Sequence, residues 1–285
     1  MMPLSPPLTR DGIRTLLATE TLGARIELHQ QVDSTNREAF ALAQAGAEHG
    51  TVVVAEEQTQ GRGRLGRSWF SPPGINLYCS VIVKTSVPPT RFSQWLSWLP
   101  LATALGASEA IEAAALLQTT LKWPNDLLVQ ERKIGGILCE SGSTASSGSF
   151  QVIGIGLNVN GTGDDFPPEL QAASTTIREE TGRLLDRNHL MSRLLLEIEH
   201  CLGELTAEGS RRIAMAYARR CVTLGRRVRV SLAGGEEFSG IAKAIGPDGS
   251  LQVVRDPQPT GGGRPDIRSL RAADIAHVRP GETAG

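Results

Sequence analysis

The chain has 285 residues, 40% apolar and 21% charged, with a formal net charge of −1. These values fit one large globular domain or two unequal ones and exclude wholesale disorder. No run of eighteen apolar residues occurs and Met1–Thr9 lacks the regions of a secretory leader, so neither a membrane span nor export is expected, and the cytoplasm is the expected location.

Charge is unevenly placed. Residues 1–217 hold 18 Lys/Arg against 23 Asp/Glu, a net of −5; residues 218–285 hold 11 against 7, a net of +4. The neutral total argues against general nucleic-acid binding, and the change of sign predicts two domains, 1–217 and 218–285. The cysteines Cys79, Cys139, Cys201 and Cys221 lie 60, 62 and 20 residues apart, which is neither a zinc pattern nor a disulfide framework. His29, His49, His189, His200 and His277 form no HxxxH pair, so no metal site built by the protein is expected.

In chain order, Thr35 followed by Glu38 fits a capping box and predicts a helix that stops at Gly46. Thr51–Ala55 reads as a buried strand and Asn76–Lys84 as an alternating one. Phe92–Ala115 reads as a long helix kinked or interrupted at Pro100. Short strands follow around Leu121 and Leu127–Val129, then a hairpin returns through Lys133–Glu140. Ser141–Ser149 is read as a flexible loop, Phe150–Leu157 as a strand and Asp186–Leu205 as an amphipathic helix. This pattern predicts an α+β domain with a mixed or mostly antiparallel sheet and helices on one side. Beyond it, Arg226–Leu232, Glu237–Ile245, Ser250–Arg255 and Asp266–Leu270, separated by turns that include Gly261–Gly263, predict a small β-barrel.

Four segments carry chemistry. Gly61–Trp69 (GRGRLGRSW) alternates glycine with arginine, which a core has no use for. Its glycines allow an anion-holding backbone concavity and close ligand approach, and its arginines supply cationic forks for phosphate and carboxylate. The loop is not a Walker loop, because GxxxxGK[ST] is absent. The alternative is an RGG-like flexible segment, which the short length and flanking strands oppose. Lys122–Asp126 (KWPND) groups a cation, an amide and a carboxylate at a proline turn; it can grip an anionic ligand, or be an ordinary turn with a salt bridge. Arg132–Leu138 (RKIGGIL) pairs glycines within a strand, a mark of close backbone approach or a bulge, or else of a hairpin that needs glycine for its twist. Gly154–Asn160 (GIGLNVN) ends a strand beside an amide that could contact a purine or ribose.

Together these residues favour bringing one anion against another. Two unit charges about 4 Å apart repel by roughly 4 kcal/mol at an effective dielectric near 20, and each charge-assisted hydrogen bond returns about 1.5–3 kcal/mol. Arg62, Arg64, Arg67 and Lys133 are thus suited to placing a carboxylate on a nucleotide α-phosphate, and carboxylate adenylation is the predicted reaction class.

At these motifs, over about residues 26–280, the sequence resembles the bacterial biotin–protein ligases, or biotin–[acetyl-CoA-carboxylase] ligases. The resemblance implies ATP-dependent formation of biotinyl-5′-AMP and transfer of the biotinyl group to one lysine of a biotin carboxyl carrier protein. It also implies a class II aminoacyl-tRNA-synthetase-like catalytic domain followed by an SH3-like barrel. By similarity Ser34, Thr35, Asn36, Gln58, Arg62, Gly63, Arg64 and Lys133 would line the biotin site. Arg64, Arg67, Trp69, Lys122, Asn125 and Asn158 would face ATP, whose Mg²⁺ comes with the triphosphate. Lys133 and Arg64 are assigned to catalysis, with Asp126 as the group that orients or deprotonates the carrier amine. About 30 residues precede Asp33–Asn36, too few for a helix-turn-helix module, so the type without an N-terminal DNA-binding domain, and no specific DNA binding, is expected. A homodimer through a sheet edge is possible. The basic stretch Arg219–Arg229 is read as a solvated face or as a surface for nucleotide or an acidic carrier. A lipoate- or octanoate-protein ligase and a non-catalytic RNA- or anion-binding protein are the rival readings.

Overall fold

The long β-branched runs assemble into one mixed sheet. In the computed structural model, residues 6–85, 87–144, 148–232, 234–256, 266–271 and 273–277 are described. The helix α1 (Arg10–Leu16) leads to β1 (Ile26–Val32), α2 (Thr35–Gln44), β2 (Val52–Gln58) and β3 (Leu77–Val83). Next come the long α3 (Pro89–Ala115), then β4 (Thr120–Lys122), β5 (Asp126–Val129), β6 (Arg132–Thr144) and β7 (Gly148–Leu157). Two short helices, α4 (Pro168–Gln171) and α5 (Ile177–Thr181), precede α6 (Arg187–Ala207) and α7 (Arg211–Arg220). The last part holds β8 (Arg227–Ser231), β9 (Glu237–Ile245), β10 (Leu251–Arg255), β11 (Ile267–Leu270) and β12 (Asp274–His277).

The first seven strands form a sheet in the order β1-β2-β3-β7-β6-β5-β4. Its β1–β2 pair is parallel and the remaining pairs are antiparallel, as the mixed α+β expectation requires. The last five strands make a separate antiparallel sheet, β11-β10-β9-β8-β12. The sequence reading had no counterpart for α1, β1, α7 or β12.

Helices cover both faces of the large sheet, a correction to the one-sided arrangement. Val52 and Val54 of β2 join α3 and α6 in the main core, whereas Val53, Ile82, Phe150 and Val152 pack on the other face against Ala39 and Ala43 of α2. This double cover is why every residue of β3 is buried, although its sequence alternates. Three local expectations also change. Ser34, not Thr35, is the N-cap of α2 and makes no side-chain cap bond, because Thr35 is spent on Gln58. The helix α3 runs through Pro100 without a break. Ser141–Thr144 and Gly148–Ser149 continue the β6–β7 hairpin in register, so the serine-rich stretch is largely strand. The expected turn at Gly261–Gly263 lies outside the described residues.

One buried ion pair ties the sheet to α6. Arg187, 1% exposed, donates to Glu56 at 2.6 and 3.1 Å and to the Asn76 carbonyl at 3.0 Å. Glu56 also accepts the Leu8 N–H at 3.0 Å, which fixes the segment before α1.

Candidate active site

The GRGRLGR segment folds back on itself above the strand ends. Arg62 and Ser68 form an antiparallel bridge, Gly63 N–H donates to the Arg67 carbonyl at 2.7 Å, and Trp69 N–H donates to Gly61 at 2.9 Å. Leu65 and Gly66 both take left-handed backbone, with φ of +56° and +75°. The Gly63 N–H is therefore committed within the loop, and guanidinium groups are what the loop presents to the cleft beneath it.

The glycines of β6 and β7 form the cleft floor. The Trp69 ring lies so close to β7 that a Cβ on Gly156 would come within 2.6 Å of it, and one on Gly136 would meet both the ring and Lys133 at about 3.4 Å. A Cβ on Gly154 would overlap the Asn36 amide at 2.0 Å. Of the paired glycines of RKIGGIL, Gly135 would bring a Cβ within 2.6 Å of the Leu157 side chain, and the β5–β6 register shifts beside it between Leu127 and Leu128, so close approach and a strand irregularity are both present. Trp69 Nε1 is buried and has no hydrogen-bond partner.

All the residues assigned from sequence line this one cleft: Ser34, Thr35, Asn36 and Gln58 at one end; Arg62, Gly63, Arg64, Arg67 and Trp69 from the loop; Lys122, Asp126 and Lys133 from the strands, with Asn125 in the β4–β5 turn and Asn158 just after β7. A polar network builds the first end. Thr35 N–H and Oγ1 lie 2.9 and 3.1 Å from Gln58 Oε1, Gln58 Nε2 donates to Ser71 at 2.9 Å, and Ser80 Oγ stands 2.7 Å from Asn36 Oδ1. Glu140 bridges this end to the loop, accepting from Asn36 at 2.8 Å and pairing with Arg62 at 3.0 Å.

Cations gather at the other end. Arg64 donates to Asn125 Oδ1 at 3.2 Å, while Asn125 Nδ2 donates to the Ile137 carbonyl at 2.8 Å, so KWPND fixes the guanidinium. Lys133 Nζ lies 2.6 Å from Asp126 Oδ1 and 5.3 Å from the Trp69 ring centroid. Burial pushes the Arg64 and Lys122 cations below their ordinary pKa ranges, with Asp126 and Asp274 opposing the shift. A bound anion would offset that desolvation cost. Asn158, buried, lines the cleft, and its amide nitrogen donates to the Lys133 carbonyl at 3.3 Å and the Thr175 carbonyl at 3.1 Å. With Lys133 N–H bonded to Ala173 and Thr175 N–H bonded to Lys133, the lysine's backbone is clamped on both sides.

Sequence reasoning missed Asp274 and Ile275 of β12 and the preceding Ala273, which also line the cleft. Trp123 of KWPND is buried and donates through Nε1 to the Gly249 carbonyl at 3.0 Å, and its N–H donates to Thr223 at 3.1 Å. The second sheet is thereby rooted at the cleft. The Arg219–Arg229 stretch is largely neutralised by acids of other elements: Arg220 pairs with Glu112 at 2.8 Å, Arg226 with Glu131 and Arg227 with Asp256.

The profile of the biotin/lipoate A/B protein ligase family matches residues 28–160, and that of the biotin protein ligase C-terminal domain matches residues 223–278. The chain is 34% identical over 278 residues to a biotin–[acetyl-CoA-carboxylase] ligase of Mycobacterium tuberculosis, covering 97% of this chain and 98% of that protein. The chain belongs to the biotin protein ligase family. A bifunctional ligase/repressor of Bacillus spizizenii is also 34% identical, across 94% of this chain and 78% of its own length. The biotin protein ligase of Aquifex aeolicus, solved with biotin and ATP, superposes with a TM-score of 0.73 at 28% identity, covering 90% of this chain and all of that one. Among the described residues, no helix is long and apolar enough to cross a membrane, and no group of three His, Cys, Asp or Glu side chains could hold a metal ion.

Proposed function

We propose that this member of the biotin protein ligase family activates biotin with ATP in the glycine-floored cleft and passes the biotinyl group to a lysine of a biotin carboxyl carrier domain. The observation that supports this reading best is one cleft lined both by the polar groups of Ser34, Thr35, Asn36 and Gln58 and by the cations Arg64, Arg67, Lys122 and Lys133. In the first step a carboxylate oxygen of biotin attacks the α-phosphorus of ATP. The O–P bond forms as the bond to the pyrophosphate oxygen breaks. Ser34, Thr35, Asn36 and Gln58 would orient the acid, and Arg62 would close over it. Arg64, Arg67 and Lys122, with Trp69 and Asn125, would hold the nucleotide. Lys133 would neutralise charge developing on the reacting oxygens. Mg²⁺ enters on the triphosphate, as a companion of that substrate.

In the second step the carrier amine attacks the acyl carbon, the C–N bond forms, and AMP leaves with the C–O electrons. A lysine of ordinary pKa is neutral at pH 7 only about once in 2,500, a deficit of roughly 4.6 kcal/mol. Asp126 is the carboxylate assigned to take that proton, a reading that its contact with Lys133 supports. Asn158 acts through the Lys133 backbone and is read here as a positioning residue. Residues 1–217 and 218–285 are taken as catalytic and C-terminal domains, since each of the two sheets lies within one of these ranges. The cytoplasm, where carboxylases and ATP meet, is the proposed compartment. The β1 edge of the larger sheet is the surface through which two copies would pair.

The deciding experiment is pyrophosphate exchange with ATP, with and without biotin, followed by mass measurement of a carrier domain. Biotin-dependent exchange and one added biotinyl group are expected. Exchange that responds to lipoate and not to biotin would overturn the assignment.

A further inference from the structure

Arg67, from the loop, pairs across the cleft mouth with Asp274, the first residue of β12 in the C-terminal sheet. No sequence motif links the two, which lie 207 residues apart. Asp274 lines the same cleft as Arg64 and Lys122 and bears electrostatically on both. Its neighbours Ala273 and Ile275 are each 3% exposed, so β12 is seated and presents this carboxylate from a fixed base. The far end of β12 is held as well. Thr223 Oγ1 accepts the Trp123 N–H at 3.1 Å and also lies within hydrogen-bond distance of His277 Nε2, at 3.2 Å. The strand is thus fastened to KWPND at one end and touches the GRGRLGR loop at the other.

A carboxylate on a guanidinium assigned to phosphate is chemically a stand-in for phosphate: both are acceptor-only anions that take the same donors. The side chains of the pair are 66% and 40% exposed. A pair so open to water is weak and readily exchanged.

We propose that Asp274 is a placeholder for the nucleotide's phosphates, holding Arg67 over the empty cleft and giving it up when the triphosphate arrives. This rests on the reading of Arg67 as a nucleotide-facing residue. Freed from Arg67, Asp274 stands near the incoming charge and repels it, so the contact both parks the loop and sets a threshold for ATP. The C-terminal sheet then takes part in nucleotide selection through one side chain, acting on Arg67 and not on the reacting atoms.

The test is the ATP KM in biotin-dependent pyrophosphate exchange for Asp274→Asn, Arg67→Ala and the double variant, with melting temperatures to verify folding. Asp274→Asn is expected to lower the ATP KM by about two- to five-fold, the range a single exposed ion pair allows, without moving the biotin KM. In the ligand-free protein it should also speed trypsin cleavage between Arg62 and Arg67. An ATP KM that is unchanged or raised overturns the proposal. So does a fall that persists in the Arg67→Ala background, since removing any negative charge near the cleft would then explain it. If Arg67→Ala alone leaves the ATP KM unmoved, the nucleotide assignment of Arg67 fails and the placeholder role goes with it. If Arg67→Ala raises the ATP KM and Asp274→Asn does not lower it, only the placeholder role fails.

Discussion

Lys133 Nζ stands 2.6 Å from Asp126 Oδ1 on the neighbouring strand of the β5–β6 pair. The cation assigned to adenylation and the carboxylate assigned to transfer therefore touch, and separate substitutions should divide the two half-reactions. Lys133→Ala is expected to lower the adenylation rate by about 10²–10³-fold, the cost of losing one donor aimed at developing charge. Its circular dichroism should match the parent. Asp126→Asn should mainly slow transfer from preformed biotinyl-5′-AMP to the carrier. Normal adenylation by the first variant, or unchanged transfer by the second, would remove that residue from the mechanism.

Two glycines offer opposite outcomes from the same substitution. Gly156→Ala places a methyl group 2.6 Å from the Trp69 ring and should cost about 1–3 kcal/mol through overpacking, with a change in tryptophan fluorescence. Gly203, inside α6, has open space around its Cβ position and no positive φ. Gly203→Ala should stabilise the fold by about 0.5–1 kcal/mol. Urea titrations of both variants would check the signs.

Burial, followed by the charges of Lys122 and Arg226, pushes His277 down to about 4. The unfolded chain takes up this proton near pH 6.5, so between those values it binds more protons than the folded one. Stability is then fully present above about pH 6.5 and declines as pH falls toward 4. His277→Gln should flatten that part of the stability–pH curve. An unchanged slope between pH 6.5 and 4 would count against a neutral, half-buried imidazole.

The buried Arg187–Glu56 pair should be costly to halve. Arg187→Ala leaves a carboxylate with little solvent and, among the described residues, only the Leu8 N–H as a partner of its side chain, a loss of about 3–5 kcal/mol. Glu56→Gln keeps the shape and can still accept hydrogen bonds, so it should cost less. Denaturant unfolding of the two variants gives the comparison, and equal costs would mean that the charge itself matters little.

How much of this could be read beforehand depends on where each interaction partner lies in the chain. GRGRLGR and RKIGGIL were legible because alternating glycine and arginine, or paired glycines in a strand, suit a ligand held close to backbone, whereas KWPND by itself read equally as a ligand grip or as an ordinary turn with a salt bridge. The strands β2, β3 and β7 were legible from β-branched runs. Thr35 and Glu38 misled because a local capping pattern competes with tertiary demand, and Gln58, 23 residues away, takes the threonine hydroxyl. Helix α7 does carry a helical period, with Ile213 and Tyr217 buried four residues apart, but its short length and terminal arginines drew the reading toward a basic surface, and the four residues of β12 are too few to show a period. Nothing near Arg67 in sequence points to Asp274, since that contact exists only once the second sheet has docked.

The floor formed by Gly136, Gly154 and Gly156 also limits redesign. Its width is set by main chain against an indole and an amide, with no side chain left to trim. A variant meant to admit a bulkier acid than biotin must therefore recut the roof at Trp69 or the wall at Asn36, and saturation libraries aimed at the floor itself should yield only losses.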